Sequence, residues 1–159
     1  MKRNQILLSS ALLLAVSSAP LNSANALFDK TRFVLHLGAA YYAFHHWDLQ
    51  PYQQGKFAAG APGRTANLVK GGLALAFAAH EVSVARKVAV NSKSPLLQKL
   101  TGGLNTLSSE MSSIGSSLTG GKVNPAELEK LNTDTQKFSS DSAAAGQTIK
   151  DVPVAIPGL

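Results

Sequence analysis

Cysteine is missing from all 159 residues. That removes disulfide staples, thiolate metal ligands and cysteine nucleophiles together. Tryptophan occurs once, methionine twice, and charged residues make up only 15% of the chain. Strand signals are scarce as well: no sustained apolar/polar alternation is bounded by turn residues, whereas alanine and leucine recur at steps of three and four. Catalytic and nucleotide signatures are lacking too. There is no nucleophile elbow, no glycine-rich phosphate loop, no interpretable carboxylate pair, and neither His-x-x-x-His nor Glu-x-x-His. An enzyme is therefore not expected. The longest uncharged stretches, Phe33 to Trp47 and Gly71 to Ala79, fall short of the ~20 residues that span a bilayer.

The N-terminus carries a pattern of its own. Met1-Lys2-Arg3 precedes an apolar run from Ile6 to Val16, and Ala24-Asn25-Ala26 supplies small residues at the −3 and −1 positions of a cleavage site. A basic start, a short apolar core and such an ending are the features of a secretory signal peptide over residues 1–26. The alternative, an uncleaved anchor, is disfavoured by the short apolar core. The product is expected to be exported, periplasmic or extracellular. It would not be lipid-anchored through cysteine, since it has none.

Residues 27–159 have the length of one helical domain and must fold by apolar packing alone. Their charge is uneven. Residues 27–93 hold eight basic and three acidic side chains, while 94–159 hold five and six. A basic half suits anionic surfaces such as lipid head groups or cell-wall polymers; a merely solvated face is the plainer reading. Nucleic acid is not an expected partner, because no recognition motif is present.

The expected fold class is all-α: an antiparallel bundle of about four helices, built as two helical hairpins, with an extended C-terminal tail. Residues 27–93 form the apolar pair, with one helix from about Asp29, its N-cap, to Leu49, stopped by Gln50-Pro51, and a second from about Thr65 to Asn91. The helix pair is apolar nearly all round, which fits a central position, a second chain or a membrane surface. Residues 94–151 form a serine-rich heptad hairpin. Its third helix starts at Ser94-Pro95, ends before Gly120-Gly121, and carries a seam of Leu97, Leu100, Leu104, Leu107, Met111, Ile114 and Leu118. Its fourth starts at Asn124-Pro125 and repeats the spacing through Leu128, Leu131, Thr135, Phe138, Ser142, Ala145, Ile149 and Val152. Ser108, Ser109, Ser112 and Ser113 lie off the seam and are expected to face water. Residues 152–159 contain Pro153 and Pro157 and cannot be helical.

Eight of the ten aromatic residues lie between positions 28 and 57. Within them, AYYAFHHWD at 40–48 and the 16-residue connector from Asp48 to Gly63 single out Tyr41, Tyr42, His45, His46, Trp47, Tyr52, Lys56 and Phe57 as binding residues. The stretch is first the buried end of a core helix, second an aromatic docking patch, and third a ligand site. His45 and His46 diverge by about 100° on a helix and do not share a ligand. If the first two helices pair antiparallel, His36 comes near His80, and with Glu81 the two could hold a divalent metal or haem, although a hydrogen-bonded core histidine is commoner. Gly71-Gly72 then falls opposite Tyr41 and Tyr42. The function expected is binding of another protein or a cell-envelope component through the aromatic, basic half. Alternatives are activity at an anionic membrane interface and the histidine metal or haem site. A homodimer and a monomer both fit.

Overall fold

The computed structural model describes residues 21–159, and all regular structure among them is helical. The basic start and apolar run of the expected signal peptide lie outside the described residues. Helix α1 (Leu21–Phe44) leads through a π-helical turn (His45–Leu49) into the short α2 (Gln50–Gln53). Then come α3 (Arg64–Asn91), α4 (Pro95–Lys99), α5 (Thr101–Thr119) and α6 (Pro125–Ala144).

Several boundaries differ from the sequence expectation, and the expected third helix is divided at Leu100 into α4 and α5. Because α1 is already helical at Leu21, Asp29 lies inside it and caps nothing, and Ala24-Asn25-Ala26 occupy its opening turns. At the other end the chain does not stop before Pro51 but remains helical to Gln53. The π turn accounts for this: the Gln50 N–H donates to the His45 carbonyl five residues back. A widened turn moves the preceding carbonyls away from the proline ring, which lacks an N–H to donate. The connector is accordingly shorter, and it is ordered. Gly55, at φ +72°, ends α2 with Gly55 N–H on the Tyr52 carbonyl and Lys56 N–H on that of Pro51. Further turn bonds from Ala58, Ala61 and Arg64 carry the chain to α3, while Phe57 turns inward and is buried.

A common core joins α1, α3, α5 and α6. Phe33, Leu37, Ala40 and Phe44 enter it from α1, and Leu75, Ala78, Val82 and Ala85 from α3. All seven residues of the Leu97–Leu118 seam are buried, as are Leu128, Leu131, Thr135, Phe138 and Ser142 of α6. Each large side chain so buried contributes about 1.5–3 kcal/mol, which is how this cysteine-free chain holds together. The start of α6 is capped by Asn124, whose Oδ1 accepts from Ala126 N–H at 3.2 Å. Ser94 makes no such cap. Instead Ser92 Oγ accepts the Ser94 N–H, and Gln98 donates to the Ser92 carbonyl.

The α3–α5 interface is where small residues matter. A Cβ on Gly72 would lie 2.7 Å from the Gly115 carbonyl, and one on Gly115 would lie 3.0 Å from the Gly72 carbonyl, so the two backbones nearly touch. Ser108 belongs to this seam rather than to solvent: its Oγ meets Ser83 Oγ at 2.9 Å and the Ala79 carbonyl at 3.1 Å. Gly71 faces Asp48, Phe57 and Leu118, so neither glycine of the pair receives the rings of Tyr41 and Tyr42. Helix α3 is also long and apolar enough to cross a membrane by length and composition, which the uncharged stretches alone did not suggest; half of its most apolar window is buried here.

The fourth helix does not carry its seam on to Ile149 and Val152 as expected: α6 ends at Ala144, Gly146 at φ +78° turns the chain, and residues 147–156 form no helix, with Lys150 and Val152 lying against Gly38 of α1. Val152 N–H donates to the Gly38 carbonyl at 3.0 Å, and a Cβ on Gly38 would lie 2.5 Å from the Lys150 carbonyl. Ile156 is buried, and Gly158 comes to rest on Leu73 of α3.

Candidate functional site

The π turn points four consecutive side chains in different directions. His45 reaches outward to the tail, its Nδ1 2.8 Å from Asp151 Oδ2. His46 stacks on Tyr42, with centroids 5.2 Å apart and planes 11° from parallel, and meets the edge of Trp47 at 5.0 Å. Trp47 is half-buried, with the Lys70 ammonium 5.7 Å over its ring. Asp48 turns inward.

Asp48 is fully buried, and neither carboxylate oxygen has a hydrogen-bond partner. It lies against Gly71, where a Cβ would stand 2.5 Å from Oδ1; only a bare backbone leaves the carboxyl room. Burial pushes its pKa well above the usual carboxylate range, because an isolated charge in an apolar interior is poorly solvated.

Between the π turn, the connector and the first turns of α3 lies a cleft of about 290 Å3. His46, Trp47 and Pro51 form one wall, and Lys56 and Lys70 bring positive charge. Gln50, Gln54 and Asn67 add side-chain amides, and no carboxylate lines it. Among the described residues neither lysine forms an ion pair, and none of the three amides makes a side-chain hydrogen bond. The polar groups converging here are thus unspent.

The structure separates the eight residues singled out by the sequence. His46, Trp47 and Lys56 share this cleft, with Tyr42 behind His46. Tyr52 and Phe57 instead border a second cavity of about 350 Å3 with Arg64, Val123 and Pro125. Tyr52 donates to Glu129, and Arg64 donates to the Phe57 carbonyl at 3.0 Å. Tyr41 is buried and donates to the Thr135 carbonyl of α6 at 2.7 Å; burial first, and the charge of Asp151 second, raise its pKa. His45 clasps the tail. Lys70 and Asn67 were not visible as partners of Trp47, because only the register of α3 against α1 brings them there.

His36 does face α3, but the side chain it meets is Glu81, at 2.6 Å from Nδ1. His80 is exposed on another side of the helix, so the three do not converge. Among the described residues no group of three or more histidine, aspartate or glutamate side chains could hold a metal ion. No family model, curated protein or solved structure matches this chain.

Proposed function

We propose that this is an exported protein, periplasmic or extracellular once residues 1–26 are removed, that binds a cell-envelope component or another macromolecule without catalysis. In this reading residues 27–159 are an antiparallel bundle of two helical hairpins closed by an extended tail. Supporting that arrangement, Trp47 meets Lys70 while His36 meets Glu81, and Gly72 meets Gly115 while Ser83 meets Ser108. Positions thus advance along one helix as they retreat along the next.

The observation that carries the binding reading is the His46–Trp47–Lys56–Lys70 cleft, where unpaired cations, free amides and an indole meet. Unpaired surface cations attract anionic partners and steer their approach. Cosedimentation with envelope fragments from the cells that make the protein tests it. The wild type should pellet with the fragments and the Lys56→Gln/Lys70→Gln variant should stay in solution; equal retention of the two would sink the reading.

A membrane-interface reading has its own support. Near its start α1 exposes Leu27 (66%) and Phe28 (69%) beside Lys30 and Arg32, the composition of a segment lying in an interface. Leu27→Ser/Phe28→Ser would then abolish flotation with anionic vesicles while leaving binding to lipid-free envelope polymer intact.

A further inference from the structure

We propose that the cleft between the π turn and α3 is a site for a phosphate ester of a small polyol, an inference that rests on the binding reading above and names its ligand. Charge comes first. Lys56 and Lys70 line the cleft without an ion-pair partner among the described residues, no carboxyl lines it, and Asp48, next to Trp47 in sequence, is buried against Gly71. The sign of the ligand is therefore negative.

The kind of cation selects the kind of anion. Planar, two-pronged recognition of a carboxylate is the province of a guanidinium, and the guanidinium closest in sequence, Arg64, is turned to the Phe57 and Gly121 carbonyls. Two separate ammonium groups act as point charges, which suits the several oxygens and higher charge of a phosphate ester. Lys70 is held in place by the face of Trp47, so one of the two charges is positioned before the ligand arrives.

The remaining walls fit the alcohol portion. Gln50, Gln54 and Asn67 offer both donors and acceptors, and among the described residues their side chains have no other partner. Hydroxyl groups, which also donate and accept, match such a lining. Trp47 and Pro51 present apolar surface for a short carbon skeleton. At about 290 Å3 the cleft lies at the small end of ligand pockets, so it takes a head group rather than a polymer chain.

Trp47 is the only tryptophan, so its emission reports the cleft directly. The protein is titrated with glycerol 3-phosphate, with glycerol, and with vesicles of phosphatidylglycerol or phosphatidylcholine, and heats of binding are measured in parallel. The expected result is a saturable response to glycerol 3-phosphate or to phosphatidylglycerol vesicles and none to glycerol or phosphatidylcholine. Each lysine removed, as Lys56→Gln or Lys70→Gln, should weaken it about tenfold, the size of one lost charge-assisted contact. A response to the soluble ester assigns a free or polymer-borne phosphate; a response confined to phosphatidylglycerol assigns the lipid head group. Retention on phosphate-free polygalacturonate that depends on both lysines, with neither phosphate probe bound, overturns the phosphate assignment and leaves the binding reading standing. Silence toward both phosphate probes overturns the phosphate assignment, and the binding reading falls with it only where wild type and Lys56→Gln/Lys70→Gln also cosediment equally with envelope fragments.

Discussion

A carboxyl with no exposure and no hydrogen-bond partner, as at Asp48, has its pKa raised by burial rather than by any single neighbour. Stability then depends on pH in a definite direction. Unfolded, the group loses its proton near 3.8; folded, it keeps the proton to well above that. Below 3.8 both states are protonated and Asp48 adds no pH dependence. Between the two values the folded state binds more protons, so stability falls as pH rises, by up to about 1.4 kcal/mol per unit. Asp48→Asn removes the ionisable group at nearly constant shape. The variant should melt above the wild type at pH 7 to 8, with the gap closing toward pH 4 in denaturation curves taken across that range. A gap that stays constant with pH would mean the carboxyl is solvated after all. The sequence hid this residue for a physical reason: an acidic side chain three positions before a proline reads as the start of a loop, whereas the π turn carries the helix onward and rotates Asp48 into the core.

Helix by helix, legibility follows side-chain size. The seams of α5 and α6 repeat at three and four residues because large apolar groups must share one face, and that spacing was visible directly. The α3–α5 interface was not, because glycine and serine carry no hydrophobic signal even where they allow two backbones to approach. Gly72 and Gly102 separate the two roles. Alanine at Gly72 would drive its Cβ to 2.7 Å from the Gly115 carbonyl and 3.0 Å from the Thr119 amide nitrogen, backbone atoms with nowhere to go. Gly102 has nothing within 4 Å of the same added atom. Gly72→Ala should therefore destabilise by about 2 kcal/mol or more, as overpacked cores do, while Gly102→Ala should be neutral or stabilising by up to about 1 kcal/mol through helix propensity. Urea titration of the pair checks this. A mild effect at Gly72 would show that α3 and α5 can separate without cost. The cleft was legible only in part for a related reason. Aromatic clustering marked Trp47 and His46, but Lys70 joins them through a register that a connector of uncertain path does not set.

Taken as a whole, the molecule is closed by its own C-terminus, and two kinds of contact compete for credit. One is electrostatic: His45 to Asp151, both side chains more than a third exposed. The other is apolar: Ile156 buried at the end of the segment that passes over Gly38 toward Leu73. An exposed ion pair contributes about 0–1 kcal/mol, because water and salt screen it, whereas a buried isoleucine cut back to alanine costs about 2 kcal/mol or more. Ile156→Ala should thus lower the melting temperature by several degrees, on the usual scale of about 2–8 °C per kcal/mol for domains of this size. Asp151→Asn should lower it by little, and less still at high salt. Pro153 and Pro157 made the extended tail legible in the sequence, but where it docks was not: Gly38, the single glycine of the apolar stretch from Phe33 to Trp47, lets it come close, although a helix gives up about 1 kcal/mol for glycine. Calorimetry on the two variants at low and high salt decides between the contacts. If Asp151→Asn proves as damaging as Ile156→Ala, the segment is held by charge rather than by apolar burial.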